Sequence, residues 1–363
     1  MAIRSVTTIA LNLPFEIGGP KPMFAGKPRS MEILLVRVET DHGIVGWGEA
    51  FGFAVWPATR AAVETLVAPL AVGRDERDIA GLLADLQQKL HLLGRTGPVI
   101  YALSGLDIAL WDIAGKAAGK TVAELLGGAR RRQLPAYASL VRYTDPALVA
   151  RNAARAVSHG YQAIKLHETG IAQVRAAREA IGPDVMLMMD TNCPWTVEEA
   201  LAMAAELREF GLYWFEEPVF PPEDHAGLAR VRREGGLRIA AGENAISATD
   251  FRAMFNADAV DFAQPSVTKI GGITELTRIA RIARESGVAL APHSPYFGPG
   301  LLATVHVAAA LEQETMIEYS FCELGASPLG DAIALVNGRI GVPAGAGLGR
   351  DPDPEVLARY QVR

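Results

Sequence analysis

The sequence predicts an α/β fold, in which a smaller α+β domain precedes a (β/α) barrel. From about residue 135 onward, short runs of Val, Ile, Leu, Ala and Met alternate with amphipathic helical stretches, the pattern of parallel βα units. Eight repeats of one strand and one helix favour a closed, TIM-type barrel over an open doubly wound sheet. The strand-like runs end 23 to 27 residues apart, at Leu140, His167, Asp190, Glu216, Glu243, Ser266, His293 and Glu318.

The stretches between these runs carry helix start and stop signals. Asp145-Pro146 supplies an N-cap and a first-turn proline, and Gly160 stands where that helix should end. Thr196 and Glu199 have the spacing of a capping box, and Gly211 follows the same helix. A third helix is predicted over residues 272–286.

The region before the barrel has a different pattern. Residues 31–49 read as a β-hairpin that turns at residues 41–43, and residues 60–126 have the three- and four-residue apolar spacing of helices. Gly127-Gly128 then makes a plausible boundary. We therefore expect an N-terminal α+β domain over residues 1–128, a barrel domain over 129–326, and a tail over 327–363 that returns to the first domain.

Composition narrows the class of protein. The chain has 363 residues, 50% of them hydrophobic, so it is long enough to form a large core. A net charge of −6 argues against a nucleic-acid partner. The two cysteines, Cys193 and Cys322, have no metal or disulfide spacing, which favours the reducing cytoplasm. No apolar run is long enough to cross a membrane, so we expect a cytoplasmic protein without a membrane partner. We also expect a homo-oligomer.

Three consecutive barrel strands are predicted to end in acids, namely Asp190, Glu216 and Glu243. The carboxyl ends of barrel strands form the catalytic face, and neighbouring strands lie about 4.8 Å apart, so these carboxylates can converge on one point. Unpaired, they would repel one another strongly. A divalent cation removes that repulsion, and ligands that are all oxygen atoms favour Mg²⁺, with Mn²⁺ as a substitute, over Zn²⁺.

Cationic and proton-transferring residues are predicted on the same rim. Lys165 and His167 are two positions apart on the second strand, so both side chains point into the barrel. His293 ends the seventh strand, and an imidazole suits proton transfer in either direction.

Two further rim residues are candidates with open roles. Lys269, after the sixth strand, is either a second cation over an anionic substrate or an ion-pair partner. Glu318, on the eighth strand, would act beside a substrate carboxylate if burial raised its pKa and kept it protonated as a hydrogen-bond donor.

The motifs together resemble the enolase superfamily, in particular its mandelate racemase/muconate lactonizing enzyme branch. The resemblance covers nearly the whole chain, and the stretches that carry it are VGWGE49, the helix ALSGLDIALWDIAGKAAGK, LLGG128, MMDTN192, WFEEP218, AGEN244 and KIGG272. It implies that the N-terminal domain caps the barrel and that Asp190, Glu216 and Glu243 bind Mg²⁺. A glutamate as third ligand is similar to the mandelate racemase side of the branch.

Two positions depart from the family pattern. In the mandelate racemases that this chain resembles, the second strand carries Lys-x-Lys. This chain has Lys165-x-His167 at that place. Those enzymes also carry an aspartate on the sixth strand that orients the seventh-strand histidine, where this chain has Ser266. We therefore expect His293 to lack its usual partner.

The expected reaction is removal of the proton next to the carboxylate of a small substrate. A divalent ion and Lys165 would stabilise the enediolate that forms. Dehydration of a hydroxy or sugar acid is favoured, and racemisation or epimerisation of a hydroxy acid or amino-acid derivative is the alternative. Metal-dependent hydrolysis and a noncatalytic carboxylate binder remain as further alternatives. Residues 15–29 and 51–56, rich in Gly, Pro and aromatics, are candidate lid segments.

Overall fold

The computed structural model describes residues 2–362, and its N-terminal part consists of a sheet and a helical layer. The strands are β1 (Ile3–Leu13), β2 (Phe15–Glu16), β3 (Met23–Phe24), β4 (Lys27–Pro28), β5 (Met31–Thr40) and β6 (Val45–Ala50). The helices are α1 (Trp56–Ala62), α2 (Ala68–Ala71), α3 (Ile79–Leu90), α4 (Pro98–Ala118) and α5 (Val122–Leu125). A 3-10 turn, Phe53–Val55, precedes α1, and a π-helical turn, Val63–Val67, joins α1 to α2.

The N-terminal sheet, which contains β1, β5 and β6, is apolar on both faces, and β3 and β4 form a separate antiparallel hairpin. The predicted hairpin is confirmed as β5 and β6, which pair antiparallel with Leu35 opposite Glu49. Because successive strand residues point to opposite faces, Leu34 and Val36 pack with the helices of the N-terminal part, whereas Ile33 and Leu35 join the apolar cluster of the barrel. The sheet is therefore the layer through which the N-terminal part is attached to the barrel.

The barrel is built from eight parallel strands and the seven helices between them. The strands are β7 (Gln133–Ser139), β8 (Ala163–Leu166), β9 (Met186–Asp190), β10 (Trp214–Glu216), β11 (Ile239–Ala241), β12 (Phe262–Ala263), β13 (Ala289–Leu290) and β14 (Ile317–Ser320). The helices are α6 (Pro146–Ser158), α7 (Ile171–Ile181), α8 (Val197–Leu207), α9 (His225–Gly235), α10 (Ala248–Asn256), α11 (Gly272–Glu285) and α12 (Pro299–Ala310). A 3-10 turn, Arg208–Phe210, extends α8.

The strands follow one another in chain order around the barrel. Each of β7 to β12 pairs with the next strand, and β14 pairs with β7. Between β13 and β14 the link is made by side chains: Thr315 Oγ1 donates to Leu290 O at 2.5 Å, and Ser294 Oγ donates to Glu318 O at 3.0 Å. Large side chains including Tyr137, Met188 and Trp214 fill the barrel interior at the level of the strands.

The predicted helix signals are confirmed where the structure allows a direct check. The Asp145 side chain accepts from Ala147 N at the start of α6, and Thr196 and Glu199 form a complete capping box at the start of α8. The predicted strand ends are less accurate. The strands β11, β12 and β13 stop two or three residues early, because Gly242 has a φ of +130° and because Pro265 and Pro292 follow the other two strands.

Over the described residues that follow β14, 321–362, the chain forms no eighth barrel helix. It consists of β15 (Glu323–Leu324), a 3-10 turn (Gly330–Ile333), β16 (Leu335–Val336), β17 (Arg339–Gly341), α13 (Pro354–Tyr360) and β18 (Gln361–Val362). The strand β17 pairs with β7 of the barrel, and β18 pairs with β1 of the N-terminal sheet, with Ala10 opposite Val362. This segment therefore contacts both parts of the molecule.

The helix α4 corrects one expectation from the sequence. By length and composition Pro98–Ala118 could cross a membrane, contrary to the expectation that no segment could. In the structure 78% of its most apolar window is buried inside the protein, because the helix packs between the N-terminal sheet and α11. Its apolar surface is thus used in the core.

Candidate functional site

The candidate site is the layer of inward-pointing side chains directly above the apolar barrel interior. Two residues after each of the interior side chains Tyr137, Ala163, Met188 and Trp214, the strands present the polar residues Ser139, Lys165, Asp190 and Glu216. The polar side chains lie directly above the apolar ones because positions i and i+2 of a strand point to the same face. The apolar layer below excludes water from the polar layer above it.

Asp190, Glu216 and Glu243 converge as the sequence predicts. One carboxylate oxygen from each lies within 4.8 Å of the other two. Asp190 and Glu216 are fully buried at the ends of β9 and β10, and Glu243 follows the Gly242 turn after β11 with a side chain that is 16% exposed. The three residues form the acid cluster discussed below.

Lys165 lies at the centre of the acids and is completely buried. Its Nζ is 2.7 Å from Glu216 Oε1 and 2.9 Å from Glu318 Oε1. Burial opposes the charge on this ammonium, but Glu216 and Glu318 raise its pKa well above the usual value. Lys165 is therefore held as a cation.

Glu318 differs from the expectation of a protonated hydrogen-bond donor. Although burial acts to raise its pKa, Lys165 lowers that pKa to about 2. The carboxylate accepts from Ser139 Oγ at 2.7 Å and from Ser294 N at 3.1 Å. Glu318 is thus ionised in this arrangement and fixes the position of Lys165. The strand β14 also continues to Ser320, so Glu318 lies within the strand rather than at its end.

The site has more acidic than basic side chains, which favours the binding of a cation. Five carboxylates lie in or next to the cluster, and two lysines accompany them; the acids are Asp190, Glu216, Glu217, Glu243 and Glu318, and the lysines are Lys165 and Lys269. Burial, with Asp190 and Glu318 nearby, raises the pKa of Glu216 well above its usual value, and burial beside Glu243 raises that of Glu217 to about 7. The oxygen-only cluster fits a hard divalent ion such as Mg²⁺.

One ring nitrogen of His167 is hydrogen-bonded to the backbone, and the other is directed at the acid cluster. Its Nδ1 lies 2.5 Å from Leu140 O, and a carbonyl oxygen can only accept, so Nδ1 carries a hydrogen. Its Nε2 lies 3.1 Å from Asp190 Oδ2. Burial lowers the pKa of this imidazole, but Asp190 outweighs that effect and raises it.

His293 contacts Glu243 and Ser266 through its two ring nitrogens. Its Nε2 lies 2.8 Å from Glu243 Oε2, and its Nδ1 lies 3.2 Å from Ser266 Oγ. The Ser266 hydroxyl is in turn hydrogen-bonded to the buried hydroxyl of Tyr296. As expected, Ser266 takes the place of the usual aspartate at His293 Nδ1, and the Tyr296 hydroxyl is its further partner.

Lys269 lies at the edge of the site rather than over its centre. Its Nζ is 5.1 Å from the centroid of the Phe51 ring. Burial acts to raise the pKa of Glu243, but His293 lowers it, and the Lys269 charge adds to that lowering. Lys269 is 8% exposed, and it does not line the open cavity above the acids. The structure thus leaves both of its predicted roles as predictions.

A cavity of about 300 Å³ opens above the two histidines and Glu318. Both predicted lid segments contribute to its wall, through Phe15 and Arg29 from the first and Phe53 from the second. Arg142, two residues after the first predicted strand end, also lines it. Arg142 and Tyr296 were not predicted as site residues. A signal for both was present in the sequence, since each follows a predicted strand end by only two or three residues.

Comparison with known proteins gives matches over nearly the whole chain. Residues 6–127 match the model of the mandelate racemase / muconate lactonizing enzyme N-terminal domain, and residues 148–356 match that of the enolase C-terminal domain-like family. The chain is 34% identical over 348 residues to D-galactarolactone cycloisomerase of Agrobacterium fabrum, covering 91% of each protein. It is 33% identical over 344 residues to arabinonate dehydratase of Saccharolobus solfataricus, covering 92% of this chain and 91% of that one.

Solved structures resemble this one over the same extent. The crystal structure of the 3,6-anhydro-D-galactonate cycloisomerase from Zobellia galactanivorans superposes with a TM-score of 0.87 at 30% identity, covering 100% of both chains. A racemase from Streptomyces coelicolor, solved with bound magnesium, gives a TM-score of 0.88 at 28% identity over 99% of this chain and 100% of that one. The acid cluster therefore belongs to a fold in which a magnesium-bound structure is known.

Proposed function

Because the chain belongs to the mandelate racemase/muconate lactonizing enzyme family of the enolase superfamily, we propose that it is a Mg²⁺-dependent sugar-acid dehydratase. The observation that carries this proposal is the convergence of Asp190, Glu216 and Glu243 beside a buried lysine and two histidines. Named relatives include dehydratases and cycloisomerases of sugar acids, which are lyases and isomerases.

Asp190, Glu216 and Glu243 would hold the metal ion in this proposal. When bound, Mg²⁺ supplies positive charge that offsets the second negative charge formed on a carboxylate when the neighbouring proton leaves. Mn²⁺ prefers the same oxygen ligands and is our proposed substitute. Lys165, held as a cation by Glu216 and Glu318, is preorganised to stabilise the same charge.

His167 and His293 are the proposed proton-transfer residues. They follow the second and the seventh barrel strands, three strands apart around the barrel, and the Nε2 atom of each points at a different acid of the cluster. One Nε2 takes the proton from the carbon next to the carboxylate, and the electrons of that C–H bond move into the enediolate. The other donates a proton to the β-hydroxyl, whose C–O bond breaks with loss of water. The enol left behind becomes a 2-keto acid.

A cycloisomerase is the second candidate, favoured by two of the similar proteins. The elimination would be the same, but the leaving oxygen would belong to a ring and would stay attached to the product. Dehydration lowers the mass of the substrate by one water, whereas cycloisomerisation leaves it unchanged. Racemisation or epimerisation, in which the second histidine returns the proton to the same carbon, has less support among the named relatives.

The test is turnover of a library of sugar acids and their lactones in D₂O with Mg²⁺, followed by NMR and mass spectrometry. A 2-keto product that has lost water supports the dehydratase. Deuterium next to an otherwise unchanged carboxylate would indicate a racemase. Cleavage of an ester or amide without exchange would indicate a hydrolase, and binding without turnover would indicate a binding protein.

Substitutions distinguish the roles of the two histidines. We expect His167→Asn and His293→Asn to abolish different half-reactions, so that one variant keeps exchange of the carbon-bound proton and the other loses it. His42→Asn, on the turn between β5 and β6, serves as the matched control. Full turnover in both site variants would refute the assignment.

We further propose a cytoplasmic homo-oligomer. The two free cysteines support the reducing compartment, and the consecutive exposed side chains Leu92 and Leu93, 84% and 61% exposed, support a contact with a second copy. The division into residues 1–128, 129–326 and 327–363 is likewise our proposal, supported by the separate sheets of the first two parts and by the pairing of β18 with β1.

A further inference from the structure

The cavity above the site carries two arginines with no acidic partner. Arg29 and Arg142 line it together with His167 and His293. Among residues 2–362 neither guanidinium forms an ion pair with a carboxylate, although each has an acid nearby. Burial raises the pKa of Glu32 and of Glu168, and Arg29 and Arg142 respectively oppose that rise. Two cationic groups thus face a small space in which the one lining acid, Glu318, is already paired with Lys165.

Arg142 is held firmly beside His167. Its Nε donates to the backbone oxygen of His167 at 2.8 Å, and its Nη2 donates to Thr191 O at 3.2 Å and to Asn192 Oδ1 at 3.1 Å. These contacts leave Nη1 without a hydrogen-bond partner within the described residues. Because the guanidinium plane is fixed from behind, Nη1 is available to an acceptor in the cavity at little entropic cost.

Arg29 approaches from the other part of the molecule. It follows the β3–β4 hairpin, and its guanidinium carbon lies 5.2 Å from the centroid of the Phe53 ring. A stacked guanidinium keeps its N–H groups free in the plane of the stack. The two arginines therefore reach the cavity from separate walls, one from the barrel and one from the N-terminal part.

The carboxylate that reacts does not need these arginines. Under the proposed function it is bound at the acid cluster, by the metal ion and Lys165. In the protein alone Arg142 is exposed and Arg29 is half-buried. The remainder of a simple sugar acid is a row of neutral hydroxyl groups, which would cover the two guanidinium groups without supplying a counter-charge. A second anionic group on the substrate would supply that charge through charge-assisted hydrogen bonds.

We propose that the substrate is a sugar diacid or its lactone, whose far carboxylate binds between Arg29 and Arg142. This inference rests on the proposed function, since it assigns the reacting end of the substrate to the acid cluster. A cavity of about 300 Å³ suits such a small ligand. The two arginines are then specificity-determining residues, which select the diacid over the corresponding monoacid.

The matched substrate pair is galactarate and galactonate, which share four stereocentres and differ only in a carboxylate or a hydroxymethyl group at C6. With the Mg²⁺-loaded protein we expect kcat/KM for galactarate, or for its lactone, to exceed that for galactonate at least tenfold. A glucarate and gluconate pair repeats the comparison with another configuration. Turnover of the monoacids at equal or higher efficiency would overturn the diacid proposal while leaving the proposed function intact.

The failure of the proposed function has a different signature. If no member of any pair gives a 2-keto product that has lost water, the dehydratase proposal fails first and the diacid proposal falls with it. Preference for 6-phosphogluconate over both glucarate and gluconate would show that the second anion is a phosphate, and would also overturn the diacid.

Variants locate the preference in the two arginines. We expect Arg29→Gln and Arg142→Gln each to lower the ratio of galactarate to galactonate kcat/KM at least tenfold, mainly through the KM for galactarate. Lys27→Gln removes the same charge from the same hairpin at an exposed position outside the cavity, and the ratio should stay the same. An unchanged ratio in both arginine variants, or an equal fall in Lys27→Gln, would refute the assignment.

Discussion

The two histidines of the site differ in what holds their Nδ1 atoms. His167 is fixed by a backbone carbonyl, which accepts and therefore imposes one tautomer. His293 is held by the Ser266 hydroxyl, which can donate or accept, and that hydroxyl is bonded to Tyr296. Tyr296 is therefore a positioning residue in our proposal, because it determines how the serine is oriented and hence how the imidazole is presented.

The first prediction concerns the Tyr296 hydroxyl. Tyr296→Phe keeps the ring and its edge-on contact with His293, but it leaves Ser266 free to rotate. One hydrogen bond contributes about 1 kcal/mol, so we expect kcat for the step that uses His293 to fall about fivefold or more. KM should change little, since the hydroxyl does not line the cavity. Steady-state kinetics and the rate of deuterium exchange measure both effects.

Tyr319→Phe is the control for this variant. The Tyr319 hydroxyl also donates one hydrogen bond from a mostly buried position, to Ile333 O at 3.0 Å, but it lies outside the cavity. Its removal should leave kcat unchanged. Equal losses of kcat in the two variants would mean that Tyr296 acts only through general stability.

Some site residues follow from the sequence and others do not. Lys165 and His167 were placed correctly, because the strand period of two fixes which side chains share a face. The ionised state of Glu318 could not be predicted, since it depends on Lys165 Nζ lying 2.9 Å away across the barrel. The Ser266–Tyr296 contact depends on the path of the turn after Pro292, which no periodicity specifies.

At the scale of elements, Glu49 connects β6 of the N-terminal sheet with the start of α12 in the barrel. Its Oε2 accepts from Gly300 N at 2.9 Å, and its side chain is almost fully buried. Burial raises the pKa of this carboxyl to about 8 despite the backbone hydrogen bonds. The contact therefore holds a protonated acid at neutral pH.

The second prediction is the pH dependence of this contact. The unfolded chain releases the Glu49 proton above about pH 4.5, whereas the folded protein keeps it until about pH 8. The folded protein is thus favoured at low pH, and this contribution is lost as pH rises, by up to about 1.4 kcal/mol per pH unit. Glu49→Gln has no proton to lose at this position, so its stability does not carry this pH dependence. The thermal midpoint of the variant minus that of the natural protein should therefore increase from pH 5 to pH 8.

Glu179→Gln provides the comparison for the pH series. Glu179 is exposed on α7, so its replacement should shift the thermal midpoint by the same small amount at every pH. If the difference between Glu49→Gln and the natural protein is also constant across the series, the Glu49 carboxyl is not protonated in the folded state.

The third prediction tests the close approach of β6 to α4. A Cβ on Gly48 would lie 1.9 Å from Gly105 O, so the strand can reach the helix only without a side chain here. Gly48→Ala must push the two elements apart, and we expect it to reduce the free energy of unfolding by about 2 kcal/mol or more. Gly341→Ala, in β17 with open space around the added atom, should cost less than about 0.5 kcal/mol. Equal stability of the two variants in urea unfolding would contradict the packing argument.

The element boundaries show where local sequence rules lose precision. Caps at Asp145 and Thr196 were identified because a side chain bonds to a backbone group only two or three residues away. The ends of β11 to β13 were placed too late, because the apolar pattern continues past the residues at which the ladder actually stops. The division into three segments stays a prediction.

At the scale of the molecule, the cavity depends on both parts of the chain. The barrel contributes the acids, Lys165 and both histidines, while the N-terminal part contributes Arg29, Phe15 and Phe53 to the opposite wall. Polar contacts fix the two parts together, among them Trp111 Nε1 to Thr274 Oγ1 at 2.9 Å. In our proposal, the barrel residues therefore carry out the reaction, and the N-terminal residues that line the opposite wall of the cavity select the substrate. The barrel was predictable from its repeat, but this wall was not, since it joins segments far apart in sequence.

The last prediction concerns the metal ion and the stability of the whole protein. The acid cluster concentrates more negative than positive charge in a buried layer, so a bound divalent cation should stabilise the folded state. Adding Mg²⁺ to chelator-treated protein at about 100 times its Kd should contribute about 2.7 kcal/mol and raise the thermal midpoint. Glu243→Gln removes one proposed ligand and should shrink the shift at a given Mg²⁺ concentration, whereas Glu206→Gln, exposed on α8, should leave it intact. Calorimetry with and without Mg²⁺ measures the shifts, and a full shift in Glu243→Gln, or none in the natural protein, would show that the cluster does not bind the ion.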